Sequence, residues 1–118
     1  MLIIQGLLIA FFMFASSVKV FGWVKAIFEP QLAFFHRYGL NRAAMRMVGV
    51  IEATGAGLLL FGMLTTASLY TQLGAALIAL TSVGAMFFHF RFDTWKDAIP
   101  SILTLVLSLA LLLSQFGQ

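Results

Sequence analysis

This sequence predicts an all-α integral membrane protein. The expected fold is an antiparallel bundle of four transmembrane helices, with a short interfacial or re-entrant helix between helices 1 and 2. Three observations carry the prediction. Of 118 residues, 62% are hydrophobic and 9% charged, where a soluble domain carries about a quarter charged residues. Four stretches are long and apolar enough to cross a hydrocarbon core about 30 Å thick, which takes about 20 helical residues. The charged side chains fall only in and beside the connections that would share one end of such a bundle. A chain this short leaves much of its surface exposed when folded, so lipid is the solvent that suits it. Residues 1–118 read as a single domain.

The first span runs from about Leu2 to Val24 and is interrupted only by Lys19. It lacks the positive leading region of a secretory signal and is followed by Lys25, so it reads as a retained helix. Residues Lys25–Asn41 (KAIFEPQLAFFHRYGLN) are too charged to span. Pro30 could begin a short helix there and Gly39 end one. The mixture of Phe34, Phe35, Tyr38 and Leu40 with His36 and Arg37 suits a helix lying in the interface, and equally an ordinary loop with aromatic anchors. The second span, about Arg42 to Leu64, is broken by Glu52, and Asn41 is placed to cap it. Met63–Thr71 is a neutral turn that makes spans two and three antiparallel neighbours. The third span, about Tyr70 to Phe90, ends in His89. The fourth, about Ala98 to Phe116, carries no charge, with Asp97 as its expected cap and Pro100 in its first turn.

All seven basic residues and all four acids lie toward one end of this arrangement, and the other end holds none. Retention of Lys and Arg in short cytoplasmic loops then predicts both termini outside and the charged loops inside, in a bacterial cell across the cytoplasmic membrane. A reporter fused to the C-terminus should read as external, and a cytoplasmic reading would overturn the assignment. The net charge of +3 is explained by this topology and not by nucleic acid. Without cysteine, a thiol nucleophile, a redox CxxC pair and a disulfide framework are excluded.

Ionisable residues inside a membrane mark function by default, because each is expensive to bury. Lys19 precedes Lys25 by six residues, and Glu52 follows Arg46 by six, so both lie about 9 Å deep from the same face. At matched depth on neighbouring helices they could pair. Lys19 could instead snorkel along its alkyl stem, and the pair could serve register alone. His89 reads either as an interfacial hydrogen-bonder or as a proton-exchanging group beside Glu52. Lys19, Glu52 and His89 are therefore the candidate site, with Ser17, His36, Arg46 and Arg91 as secondary candidates on the charged side. No HxxxH or ExxH spacing supports a metal. Gly49, Ala53 and Gly57, with Gly55 and Ala56 beside Glu52, are small positions that let helices approach closely. They place Glu52 toward protein.

The segments SSVK (Ser16–Lys19), YGL (Tyr38–Leu40), RMVGVIEATGAGLLLFG (Arg46–Gly62), GAALIAL (Gly74–Leu80) and GAMFFH (Gly84–His89) resemble the DoxX-like membrane proteins. The resemblance implies a four-helix bundle with Lys19, Glu52 and His89 at the family's recurring polar positions. It implies a subunit or partner of a membrane redox complex, because the namesakes are associated with terminal quinol oxidase and thiosulfate:quinone oxidoreductase activity. A quinone is then the one cofactor candidate, and none is certain. Lipids and either a protein partner or further copies of the chain are the expected partners. Two other readings stay open, a structural or assembly protein and a small-solute or proton transporter. No nucleophile–base–orienter set and no nucleotide loop point to a stand-alone enzyme.

Overall fold

The computed structural model describes residues 2–116. Five helices follow one another: α1 (Leu2–Phe21), α2 (Lys25–Arg37), α3 (Arg42–Thr65), α4 (Ser68–Phe92) and α5 (Ile99–Phe116). Four of them, α1, α3, α4 and α5, are long and apolar enough to cross a membrane. They pack in an arc, α1 on α3, α3 on α4 and α4 on α5, while α1 and α5 touch only lightly. The spans begin and end close to the expected positions, and the neutral turn is tighter than the sequence suggests. Only Thr66 and Ala67 separate α3 from α4, with Thr66 in the left-handed region at φ 56°.

Segment 25–41 is helical over α2, and its inward face is set by Phe28, Gln31, Leu32, Phe35 and Tyr38, all half-buried. That three-to-four spacing is an amphipathic stripe. α2 starts at Lys25, not at Pro30, because the Val24 carbonyl accepts from Ile27 N at 3.1 Å and from Phe28 N at 2.8 Å. Pro30 is thus inside the helix. Its missing N–H would have served the Ala26 carbonyl, and both residues are exposed, where the headgroup region can solvate that oxygen. Gly39 ends the segment as expected, at φ 80° with its N–H on the His36 carbonyl.

Caps explain two further boundaries. Asn41 Oδ1 accepts from Ala44 N at 2.9 Å and starts α3. Asp97 does not cap α5. Its Oδ2 accepts from Thr94 N at 3.2 Å and from Thr94 Oγ1 at 3.1 Å. Asp97 therefore closes a turn back onto Thr94, whose carbonyl accepts from Asp97 N at 3.1 Å, and successive tight turns lead from it into α5.

Small residues set the helix separations. A Cβ on Gly49 would stand 2.9 Å from Lys19 Cβ, and one on Gly74 2.7 Å from the Gly55 carbonyl oxygen. Of the small positions flagged on α3, Gly49, Gly55 and Ala56 are buried with Glu52, whereas Ala53 and Gly57 are half-buried on a different face. A plug of Leu8, Phe12, Ala56, Leu59, Ala75, Ile78 and Leu111 fills the half of the bundle nearest the termini. Next to it Gln5 Nε2 donates to the Leu59 carbonyl at 2.8 Å. The outer faces carry exposed Leu, Ile, Val and Phe side chains throughout, the surface a lipid-facing bundle needs. Trp23 and Trp95 stand exposed near the charged end, where indoles favour the membrane interface.

Candidate functional site

The half of the bundle nearest the charged end is hollow. A cavity of about 430 Å³ lies between the four spans, with α2 across its end. That volume is within the range of small-molecule sites, about 300–1,000 Å³. Phe12, Phe34, Phe35 and Phe88 wall it, and Lys19, Glu52, His89, Tyr38, Ser82 and Thr104 supply polar groups.

Glu52 occupies the middle of α3 between Gly49 and Gly55, which admit α1 on one side and α4 on the other. It is 6% exposed, and Lys19 Nζ lies 2.9 Å from its Oε1. Lys19 therefore turns inward to pair instead of snorkelling outward. Arg42 fixes the backbone from which Lys19 hangs. Its guanidinium donates to the Lys19 carbonyl and, at 2.8 Å, to the Val20 carbonyl, two oxygens that the end of α1 would otherwise leave unpaired. The Arg42 carbon also sits 4.7 Å from the centre of the Phe28 ring, tying α2 into the same corner.

On the far wall, Asp93 fastens α2 to α4. Tyr38 Oη donates to Asp93 Oδ2 at 2.5 Å, and His89 Nδ1 lies 3.0 Å from the same oxygen. Arg37 pairs with the other carboxylate oxygen. The single Tyr38 proton goes to Asp93, so the network assigns a proton to His89 Nδ1 as well. Among the described residues nothing hydrogen-bonds His89 Nε2. The ring is thus oriented through Nδ1. Tyr38 also stacks on Phe88, with ring centres 4.9 Å apart.

The surroundings shift both groups of this clasp. Burial, then the bond to Asp93, pushes the Tyr38 phenol above its ordinary range. Burial alone would raise Asp93, but the donors Tyr38, His89 and Arg37 outweigh it and hold the carboxyl below its usual range. A carboxyl depressed in the folded state stabilises that state above its ordinary pKa, and the contribution is lost as pH falls through the depressed value. Acid below the usual carboxylate range should therefore release α2. Asp93→Asn should weaken the clasp at neutral pH by about 1.5–3 kcal/mol, the worth of hydrogen bonds to a charged group. Hydrogen–deuterium exchange should accelerate over 25–37 and not over α3, and unchanged protection of α2 would refute the clasp. Arg37, whose side chain is 52% exposed, should matter little, as exposed ion pairs do.

The cavity brings together the three main candidates, Lys19, Glu52 and His89. The four secondary ones stand apart from it. Ser17 is bonded to the Phe14 carbonyl and to Trp23 Nε1. His36 and Arg46 are exposed, and Arg91 is exposed beside the Phe92 ring. Among the described residues no group of three His, Asp or Glu side chains is arranged to hold a metal ion. Sequence reasoning did not single out Asp93, Tyr38 or Arg42 for the site. A signal for Asp93 existed, since His89 and Asp93 are four apart and share a helix face. Nothing local marks Tyr38 or Arg42, whose partners are 55 and about 20 residues away in the chain.

Four spans around a cavity with a buried ion pair define a small multi-pass membrane protein with a built internal site. The chain belongs to the DoxX-like family, whose family model matches residues 3–111. No curated protein and no solved structure matches it.

Proposed function

We propose that this protein is a small subunit or partner of a quinone-linked redox complex of the membrane, and that its cavity receives the quinone ring. The observation that carries the reading is the Lys19–Glu52 pair, buried at the wall of an aromatic cavity that His89 also lines. The residues present fit such a ring. Phe12, Phe34 and Phe88 offer apolar faces, and Lys19 can donate to a ring oxygen. His89, held through Nδ1 by Asp93, offers Nε2 for a proton, and Glu52 offers a second exchangeable site. When bound, a quinone supplies two-electron redox chemistry coupled to two protons. The chain has no cysteine, so a protein partner is proposed to supply the redox centre. The charged end is proposed to face the cytoplasm, which puts the proton-exchanging groups nearest that compartment.

Glu52→Gln keeps the shape of the site and removes its acid. The expected result is loss of quinone-linked electron transfer in membranes by about 100-fold or more, the scale of general acid–base catalysis, with normal insertion and abundance. Unchanged activity would refute the redox role.

The structural reading draws support from the same corner, because Gly49 packs against the Lys19 stem and the pair helps to set the register of α1 on α3. Transport is the weakest alternative. A solute would have to pass the plug of Leu8, Leu59, Ile78 and Leu111, each at most 1% exposed, and the cavity ends there.

A further inference from the structure

We infer that ligands reach the cavity sideways from the bilayer, through a portal between α1 and α5 marked by Phe11 and Pro100, and that the ligand is a neutral lipid with a hydroxylated ring as its head. This rests on the cavity being a ligand site, as proposed above, and not on the redox role. Among the described residues lining the cavity, Phe11 and Pro100 are the two that are exposed, Phe11 by 48%. They stand on α1 and α5, whose seam is far lighter than those of α1 with α3, α3 with α4 and α4 with α5. Phe11 is at mid-span and Pro100 in the first turn of α5, so the opening faces lipid. The other routes are closed. The apolar plug fills the end near the termini, and α2 lies across the charged end, fastened by Tyr38 to Asp93 and by its Phe28 ring to Arg42.

The chemistry of the head follows from the groups inside. The Lys19 charge is already matched by Glu52 at 2.9 Å. Asp97 also lines the cavity, so no net positive charge is left to draw an anionic head. Gln31 Oε1 is buried at the wall without a donor. A buried acceptor in that state costs free energy that a ligand hydroxyl would recover. Phe12, Phe34 and Phe88 suit a flat ring below that hydroxyl.

The test uses the full chain in phosphatidylcholine nanodiscs with ring-fluorinated para-dodecylphenol as probe, read by fluorine NMR. The phenol should bind, and dodecanoate should displace it about tenfold less effectively than unlabelled dodecylphenol, because an anion brings an unmatched charge into a site without net positive charge. Pro100→Trp should slow entry and exit together by about tenfold with Kd unchanged, since an obstruction on the route alters both rates and not the equilibrium. As a second variant, Phe11→Ala should speed exchange. Phe28→Ala, which frees α2 from Arg42 without touching the cavity lining, should leave exchange close to wild type. If Phe28→Ala speeds exchange while both portal variants leave it unchanged, the lateral route is overturned and the redox reading survives. If dodecanoate competes as well as the phenol, the neutral head is overturned. If neither the phenol nor ubiquinone binds, both this inference and the proposed quinone site fail.

Discussion

Replacing Lys19 by methionine should lower the stability of the bundle by about 3–5 kcal/mol, the usual cost of removing one partner of a buried ion pair. The carboxylate left behind is on a side chain 7% exposed at the middle of α3, too short to reach the headgroups. Glu52→Leu strands the ammonium instead. The Lys19 side chain is 12% exposed and two residues from the end of α1, so its stem can carry the charge toward the interface. This second variant should therefore cost less than the first. The double variant, Lys19→Met with Glu52→Leu, should return to within about 1–2 kcal/mol of wild type or exceed it, since a packed apolar pair needs no desolvation. Thermal unfolding in detergent at mildly alkaline pH checks all three. An additive double variant would mean that the two side chains do not interact. Its activity then separates the functional readings, because a stable, inserted and active double variant would leave only the structural role.

Legibility from sequence followed the range of the interactions. The four spans were readable because each is a continuous apolar run, and the Lys19–Glu52 pair because depth in a bilayer is counted along the helix from its charged end. The cap at Asn41 is local and was readable too. Asp97 differs from its expected role because two local signals compete: an acid just before a helix resembles a cap, yet the N–H and hydroxyl of Thr94 three residues earlier take up its carboxylate in a turn. Pro30 misled for a related reason. Proline is expected in the first turn, but an exposed helix whose carbonyls can be solvated tolerates one further in. The cavity itself was not legible. It arises because α2 folds back over the charged end, and the bonds holding it there join residues more than 50 positions apart.

Gly74→Val should be among the most damaging single changes in the helix contacts, and Gly57→Ala among the most harmless. At Gly74 a Cβ would lie 2.7 Å from the Gly55 oxygen and 2.9 Å from Leu59 N. Both are backbone atoms of α3, so no side-chain rotation relieves the clash, and α4 must move as a body. Overpacking of this kind costs about 1–3 kcal/mol, and more when backbones must separate. The displacement would also carry Ser82 and His89, which line the cavity from the same helix. Gly74→Val should therefore lower the melting temperature and weaken ligand binding together. Gly57 has nothing within 4 Å of its added Cβ, and alanine there should stabilise α3 by about 0.5–1 kcal/mol through helix propensity alone. Gly49→Ala lies between them. Its Cβ would meet Lys19 Cβ and Val20 Cγ2 at 2.9 Å, side-chain atoms close to the backbone of α1, so it should push α1 away and lengthen the Lys19–Glu52 contact. Equal melting temperatures for Gly74→Val and Gly57→Ala would refute the close α3–α4 crossing that shapes the cavity.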